Sequence, residues 1–367
     1  MTRTFRRQGV LLLVAILGCE GSPTGPGLDV EAFGRVERGL VIELRVSHGG
    51  VPVPGDAIEL SADPLASVEI LEGGRARLLE AGRVTITVRA QGRRTRLALE
   101  VPTPPTIVFD RRVDGNRDVY RASLDGRDVV RLTTSTGDDL QPTAAGNGVV
   151  FVSHRDGNAE LYRIAVAGGA DERLTATPAN ETDPALSADA TRLAYTSDAT
   201  GTPRLWLAAA DASNATWATQ GLGVGGSIEA DPAWAPTGDR IVFVATHHGS
   251  ADLFTLRLAD LTFERLTAES TAEVEPAWSP DARSIAFASN RDGPTHLYLL
   301  EVATGQVRRL TMSSENHGQP AWLPDGRVIF TTFVNGVSHL SWIDPADPDR
   351  VHDVSVGEGA ANAAAIP

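Results

Sequence analysis

The C-terminal two thirds of the chain is built on one repeated pattern of apolar and polar positions. An apolar run ending in an aromatic residue recurs six times, at Ile107-Val108-Phe109, Val149-Val150-Phe151, Leu193-Ala194-Tyr195, Ile241-Val242-Phe243, Ile285-Ala286-Phe287 and Val328-Ile329-Phe330. Eleven residues after each aromatic stand Tyr120, Tyr162, Trp206, Phe254, Tyr298 and Ser341, the last followed by Trp342. Eleven further on come Arg131-Leu132-Thr133, Arg173-Leu174-Thr175, Arg265-Leu266-Thr267 and Arg309-Leu310-Thr311, with Trp217-Ala218-Thr219 in the third unit. Pro232-Ala233-Trp234, Pro276-Ala277-Trp278 and Pro320-Ala321-Trp322 precede three of the apolar runs, with weaker versions at Pro142 and Pro184. Turn residues such as Pro280-Asp281 and Asp292-Gly293 separate these elements.

Each unit therefore reads as four strands, A to D. A carries the proline, B the first aromatic, C the second, and D leads into Arg-Leu-Thr. A four-stranded sheet of this kind has two apolar faces. Stacking the units radially covers both, so residues 106–367 are predicted to form a six-bladed β-propeller. The first unit begins at strand B, and Glu358 to Pro367 reads as a lone strand A. The C-terminal strand is expected to close the ring on the first blade.

The pattern upstream is different. Residues 29–101 hold short alternating runs, the clearest being Arg83-Val84-Thr85-Ile86-Thr87-Val88, as in a small antiparallel β-sandwich. The fold class is thus all-β throughout. Residues 102–105 (Pro-Thr-Pro-Pro) form a stiff linker, and residues 19–28 form a Gly/Pro/Ser tether. Residues 1–18 read as a signal peptide. Arg3, Arg6 and Arg7 precede an apolar stretch from Val10 to Leu17 that is too short to span a bilayer.

Three resemblances attach to these residues. Ile16-Leu17-Gly18-Cys19 is similar to the bacterial lipobox, which implies acylation of Cys19, the only cysteine in the chain. With Glu20 following it, the outer membrane is the implied destination. Ala81-Gly82 and the strand after it resemble a bacterial Ig-like domain of group 2, a module that implies a spacer. Pro276-Ala277-Trp278-Ser279-Pro280-Asp281, Ala286-Phe287-Ala288-Ser289-Asn290-Arg291-Asp292-Gly293 and Arg309-Leu310-Thr311 resemble the TolB propeller repeat. That resemblance covers about 260 residues and implies fold more strongly than function.

A formal net charge of −14 disfavours nucleic acid as a partner. The eight histidines have no zinc-site spacing, and neither a Gly-x-Ser-x-Gly elbow nor a P-loop is present. Gly221 to Gly226 matches G-x-G-x-x-G but lies between strands, so an inserted loop is the better reading. Asp114-Gly115-Asn116-Arg117-Asp118 invites a calcium reading, although its repeat position reads first as a turn. No catalytic residue, metal ligand or cofactor is assigned.

The informative polar positions lie just before strand A. Three residues ahead of each proline or its equivalent stand Asp139, Glu181, Glu229, Glu273, His317 and Glu358. One residue ahead stand Gln141, Asp183, Asp231, Glu275, Gln319 and Ala360. The outer set is expected to form an acidic rim for a basic or cationic partner, and the nearer set to cap turns. The function implied is a lipid-anchored envelope protein whose propeller is a non-catalytic binding or scaffolding platform for a protein or glycan. The alternative is a hydrolase or lyase acting on extracellular polymers in the propeller channel. Convergence of His154, His247 and His317 on one metal would favour that alternative.

Overall fold

The computed structural model describes residues 5–7, 10–12, 28–34, 36–220 and 227–366. Cys19, most of the leader and tether, and the glycine-rich segment 221–226 lie outside the described residues. The chain divides into two compact units, Met1–Pro104 and Pro105–Pro367.

Among the described residues the first unit has a two-stranded ribbon, Phe5–Arg7 with Val10–Leu12, and two larger antiparallel sheets. One pairs Leu28–Phe33, Val41–His48, Arg75–Leu78 and Val68–Leu71 in that order, with Val51–Pro52 beside Val41–His48. The other pairs Arg93–Val101, Gly82–Ala90 and Glu59–Asp63. Alternation along each strand sends one set of side chains inward. Ile42, Leu44, Val46, Val84, Ile86, Val88, Leu97 and Leu99 thereby meet in one core.

Among the described residues the second unit holds six four-stranded antiparallel sheets, numbered here 1 to 6 along the chain. Strands A of sheets 2 to 6 are Asp139–Ala145, Glu181–Leu186, Glu229–Trp234, Glu273–Trp278 and Asn316–Trp322. Strands B of sheets 1 to 6 are Thr106–Val113, Gly148–Ser153, Arg192–Ser197, Arg240–Ala245, Ser284–Ser289 and Val328–Val334. Strands C are Asn116–Ser123, Glu160–Ala165, Arg204–Ala209, Asp252–Arg257, His296–Glu301 and Val337–Asp344. The outermost strands, D, are short except for Asp347–Val354 in sheet 6, which limits the open edges. In sheet 1 the place of strand A is taken by Ala360–Ala365, antiparallel to Thr106–Val113.

The repeated residues explain the repeated sheet. Phe109, Phe151, Tyr195, Phe243 and Phe287 sit directly opposite the aromatics eleven residues later, with ring centroids 5.8–6.5 Å apart. Such cross-strand pairs fix the B–C register. Sheet 6 lacks the pair because Ser341 faces Phe330. Its Trp342 instead stacks on His352, with centroids 3.9 Å apart. The threonine of Arg-Leu-Thr is a buried acceptor: Oγ1 of Thr133, Thr175, Thr267 and Thr311 takes the N–H of Val119, Leu161, Leu253 and Leu297 at 2.8–3.0 Å. The arginine folds back onto strand C, where Arg131, Arg173 and Arg265 bind Asp118, Glu160 and Asp252 at 2.6–3.0 Å. In sheet 3 the pairing is reversed. Trp217 replaces the arginine, and Arg204 stands where sheets 1, 2 and 4 have the acid and sheet 5 has His296.

The Asp114-Gly115 hairpin has positive φ at both positions, 52° and 89°, the backbone of a two-residue turn. Asn116 donates to Asp118 and to the Ser135 carbonyl. These residues are occupied in making the turn, and among the described residues no group of three or more His, Cys, Asp or Glu is placed to hold a metal.

Candidate functional site

Strand A does not run straight. In sheets 2 to 6 its pairing with strand B slips by a residue, between Leu140 and Thr143, Thr182 and Ala185, Ala230 and Ala233, Val274 and Ala277, and Gly318 and Ala321. The residue at the slip is left-handed every time: Gln141, Asp183, Asp231, Glu275 and Gln319 have φ of 50–54°. Asn362 in the C-terminal strand has φ 49°, with the same slip opposite Val108 and Asp110. A left-handed non-glycine residue is uncommon. Six at equivalent positions form a built feature, and a bulge of this kind re-aims a side chain.

The six side chains and the residues after them, Pro142, Pro184, Pro232, Pro276, Pro320 and Ala363, line a single open cavity of about 200 Å³. Within it four of the six side chains accept from the next backbone N–H. Oε1 of Gln141 accepts from the N–H of Asp183 (3.3 Å), Oδ2 of Asp231 from Glu275 (3.2 Å), Oε2 of Glu275 from Gln319 (2.6 Å) and Oε1 of Gln319 from Asn362 (3.2 Å). Between sheets 1 and 2 the acceptor is Asp110, which takes the N–H of Gln141 (3.1 Å) and the amide of Asn362 (2.6 Å). The ring is chemically lopsided. Asp183, Asp231 and Glu275 form an acidic arc, while Gln319, Asn362 and Gln141 form an amide arc.

The acidic arc is electrostatically crowded. Burial, and then the charges of Asp183 and Glu275, push the Asp231 carboxyl up to about 7. Burial raises Glu275 as well, opposed by the hydrogen bond from Gln319. Asp110 is also raised by burial, although Arg117 pairs with it and Asn362 and Gln141 donate to it. A cation placed beside Asp183, Asp231 and Glu275 would relieve this repulsion.

The structure corrects the expected rim. Asp139, Glu229 and Glu273 are 0 % exposed, and Glu181 and His317 are 2 % exposed. Their polar atoms are turned to internal partners. Asp139 binds Arg155, and Glu273 binds Arg291 and Ser289. Glu229 accepts from Arg204, Leu205 N and Thr219. Glu181 accepts from Thr177 and Ser197, and His317 bonds Ser313 and Thr332. Glu358 alone is exposed, but it does not belong to the set. The slip at Asn362 makes Ala360 the partner of Asp139 and Asn362 the partner of Gln141, two residues later than the sequence suggested. The nearer set, expected to cap turns, is the one that faces the cavity. The histidines do not converge: His154 is exposed while His317 is buried. The repeat spacing locates these positions. Which of two polar residues reaches the cavity depends on the bulge, which leaves no mark in composition.

Residues 219–349 match the family described as TolB beta propeller domain. The structure is similar to TolB from Acinetobacter baumannii, at TM-score 0.64 and 15 % identity over 85 % of this chain and 83 % of that one. It is also similar to a putative TolB from Agrobacterium tumefaciens, at TM-score 0.56 and 19 % identity over 72 % of this chain and 99 % of the other. The fold is a TolB-like β-propeller. A chain of a nidogen/laminin complex has a similar fold, at TM-score 0.55 and 9 % identity over 71 % of this chain and 98 % of that one. No curated protein matches the sequence. Strands A of all six sheets contribute to the lining of this one cavity.

Proposed function

We propose that this TolB-like propeller is a closed, six-bladed, non-catalytic platform that docks a cationic group of a protein partner on its axial ring. The observation that carries the reading is the row Asp183, Asp231 and Glu275. Six left-handed bulges hold it side by side with three amides around one open cavity. Backbone N–H groups already occupy one oxygen of Asp231 and of Glu275. The arc is therefore pre-oriented, so a guanidinium or ammonium group docks at little further ordering cost. The N-terminal sandwich serves as an Ig-like spacer, and acylated Cys19 holds the protein at the cell envelope, in the outer membrane. That anchoring rests on the lipobox pattern. Cys19→Ala is expected to move the protein from the membrane to the soluble fraction, and unchanged membrane association would refute the anchor.

The docking claim is tested by calorimetric titration of a tri-arginine peptide into the full chain. The D183N/D231N/E275Q variant is expected to bind about tenfold more weakly or worse, and wild-type binding is expected to weaken with salt. Equal affinity in the two proteins would remove the ring as the site.

A further inference from the structure

A second set of buried charges lies at the seams between sheets and takes no part in the axial ring. At each seam the residue opening strand A sits against the start of strand C in the preceding sheet. The N–H of Glu181, Glu229, Glu273 and His317 donates to the carbonyl of Ala159, Pro203, Ala251 and Thr295 at 2.8–3.0 Å. The side chains that meet are Asp118 with Asp139, Glu160 with Glu181, Arg204 with Glu229, Asp252 with Glu273, and His296 with His317. All are 5 % exposed or less.

Charge at three of these seams is balanced by visible partners, and a fourth carries no charge. Asp118 and Asp139 have Arg131 and Arg155, and Asp252 and Glu273 have Arg265 and Arg291. Arg204 pairs directly with Glu229. Burial lowers the basicity of His296 and His317, with Arg309 adding to the effect on His296 and His296 adding to that on His317, so that pair is neutral at pH 7. The Glu160–Glu181 seam differs. Glu160 has Arg173, but the position that supplies Arg155 and Arg291 in sheets 2 and 5 is Ala199. The turn there is the same, since the N–H of Arg155, Ala199 and Arg291 each meets the hydroxyl of the serine two residues before it at 3.3–3.4 Å. Glu181 accepts only from the hydroxyls of Thr177 (2.8 Å) and Ser197 (3.0 Å). Oε2 of Glu160 and Oε2 of Glu181 are both buried with no donor, and the two carboxyls lie within hydrogen-bonding reach of each other.

We propose that the Glu160–Glu181 pair holds one shared proton in the folded protein, which makes the seam between sheets 2 and 3 a pH-sensitive joint. Glu160 is paired with Arg173, which leaves the buried charge of the facing Glu181 uncompensated. A proton on one carboxyl removes that charge and supplies the missing donor. The ionisable groups around Glu181 do not substitute for it. They are Glu160, with Arg173 and Asp156 behind it, and Tyr195 on strand B of its own sheet. Tyr195 is itself pushed up to about 12 by burial and by Glu181. In agreement, burial lifts Glu181 from 4.5 to about 7, with Glu160 adding to the rise. For an acid raised on folding, the stabilising contribution is complete below 4.5, declines as pH rises toward 7, and changes no further above it.

Two readouts on the full chain test this. Infrared spectra at pH 5.5 are expected to show a protonated-carboxyl C=O band that wild type has and E181Q lacks. That difference should vanish above pH 8. In thermal unfolding, the melting temperature of wild type is expected to fall relative to E181Q by on the order of 5 °C between pH 5 and 8. A199R, which restores the arginine of the equivalent seams, is expected to lose the band while gaining stability at pH 8. The same band in E181Q, parallel pH profiles in all three proteins, or recovery of wild-type stability at pH 8 on adding Na⁺ or Ca²⁺ would each overturn the shared proton. The last outcome would assign the site to a cation instead.

Discussion

In the proposed docking site Asp231 is the central residue, because it sits between two other carboxylates and is raised to about 7. An acid in that state is part-protonated near neutrality and becomes a full anion as pH rises. Affinity for a cationic peptide should therefore increase through pH 7, and binding near that pH should release a proton. Titrations in buffers of different ionisation heat would reveal the release in wild type and its loss in D231N. A flat pH profile in wild type would contradict the assignment. The sequence made the repeat position of Asp231 plain, since it precedes Pro232 in a repeated frame. Its conformation was not legible, because a left-handed residue before proline follows from the bulge and not from local propensity. The outer acids were misread for a related reason. A glutamate at the start of a strand looks exposed until the arginines that fold over it are located. Arg155 and Arg291 each stand four residues after the strand-B aromatic, in the B–C turn, and that shared position is the sequence signal for the arginines over Asp139 and Glu273.

The strand is the scale at which the repeat pattern was most reliable. Aromatics eleven residues apart marked strands B and C, and the directly opposed pairs Phe109–Tyr120 and Phe287–Tyr298 show why that spacing is held. The third unit broke the Arg-Leu-Thr signature at Trp217 because its charge pair is inverted, with Arg204 meeting Glu229. The C-terminal strand was placed correctly beside Thr106–Val113 but two residues out of register. The tail has no proline to mark the frame, and Gly357 and Gly359, with φ of 94° and 79°, loop out ahead of it. That strand contributes the buried Ala360, Ala361 and Ala363 and two hydrogen bonds from Asn362 to Gln319 and Asp110. Ending the chain at Ser355 is expected to cost on the order of 3–5 kcal/mol in chemical denaturation of the second unit. Unfolding at the wild-type midpoint would show that the strand is dispensable.

At the scale of the molecule, the repeated sheets convert sequence periodicity into a ring of equivalent positions, and the departures from periodicity become its chemistry. Three acids and three amides at one position give the axial ring a charged side and a neutral side. The acid, arginine and histidine variants at the seam position give neighbouring sheets different ways of neutralising buried charge. In the proposed docking a cation is drawn off the axis toward sheets 3 to 5, which would give a partner a defined orientation. The most direct measurement is a crystal structure of the full chain with the tri-arginine peptide bound. The account predicts one guanidinium in the axial cavity, hydrogen-bonded to Asp231 and to Asp183 or Glu275. A peptide bound to an outer face of the sheets, with the cavity left to water, would contradict it.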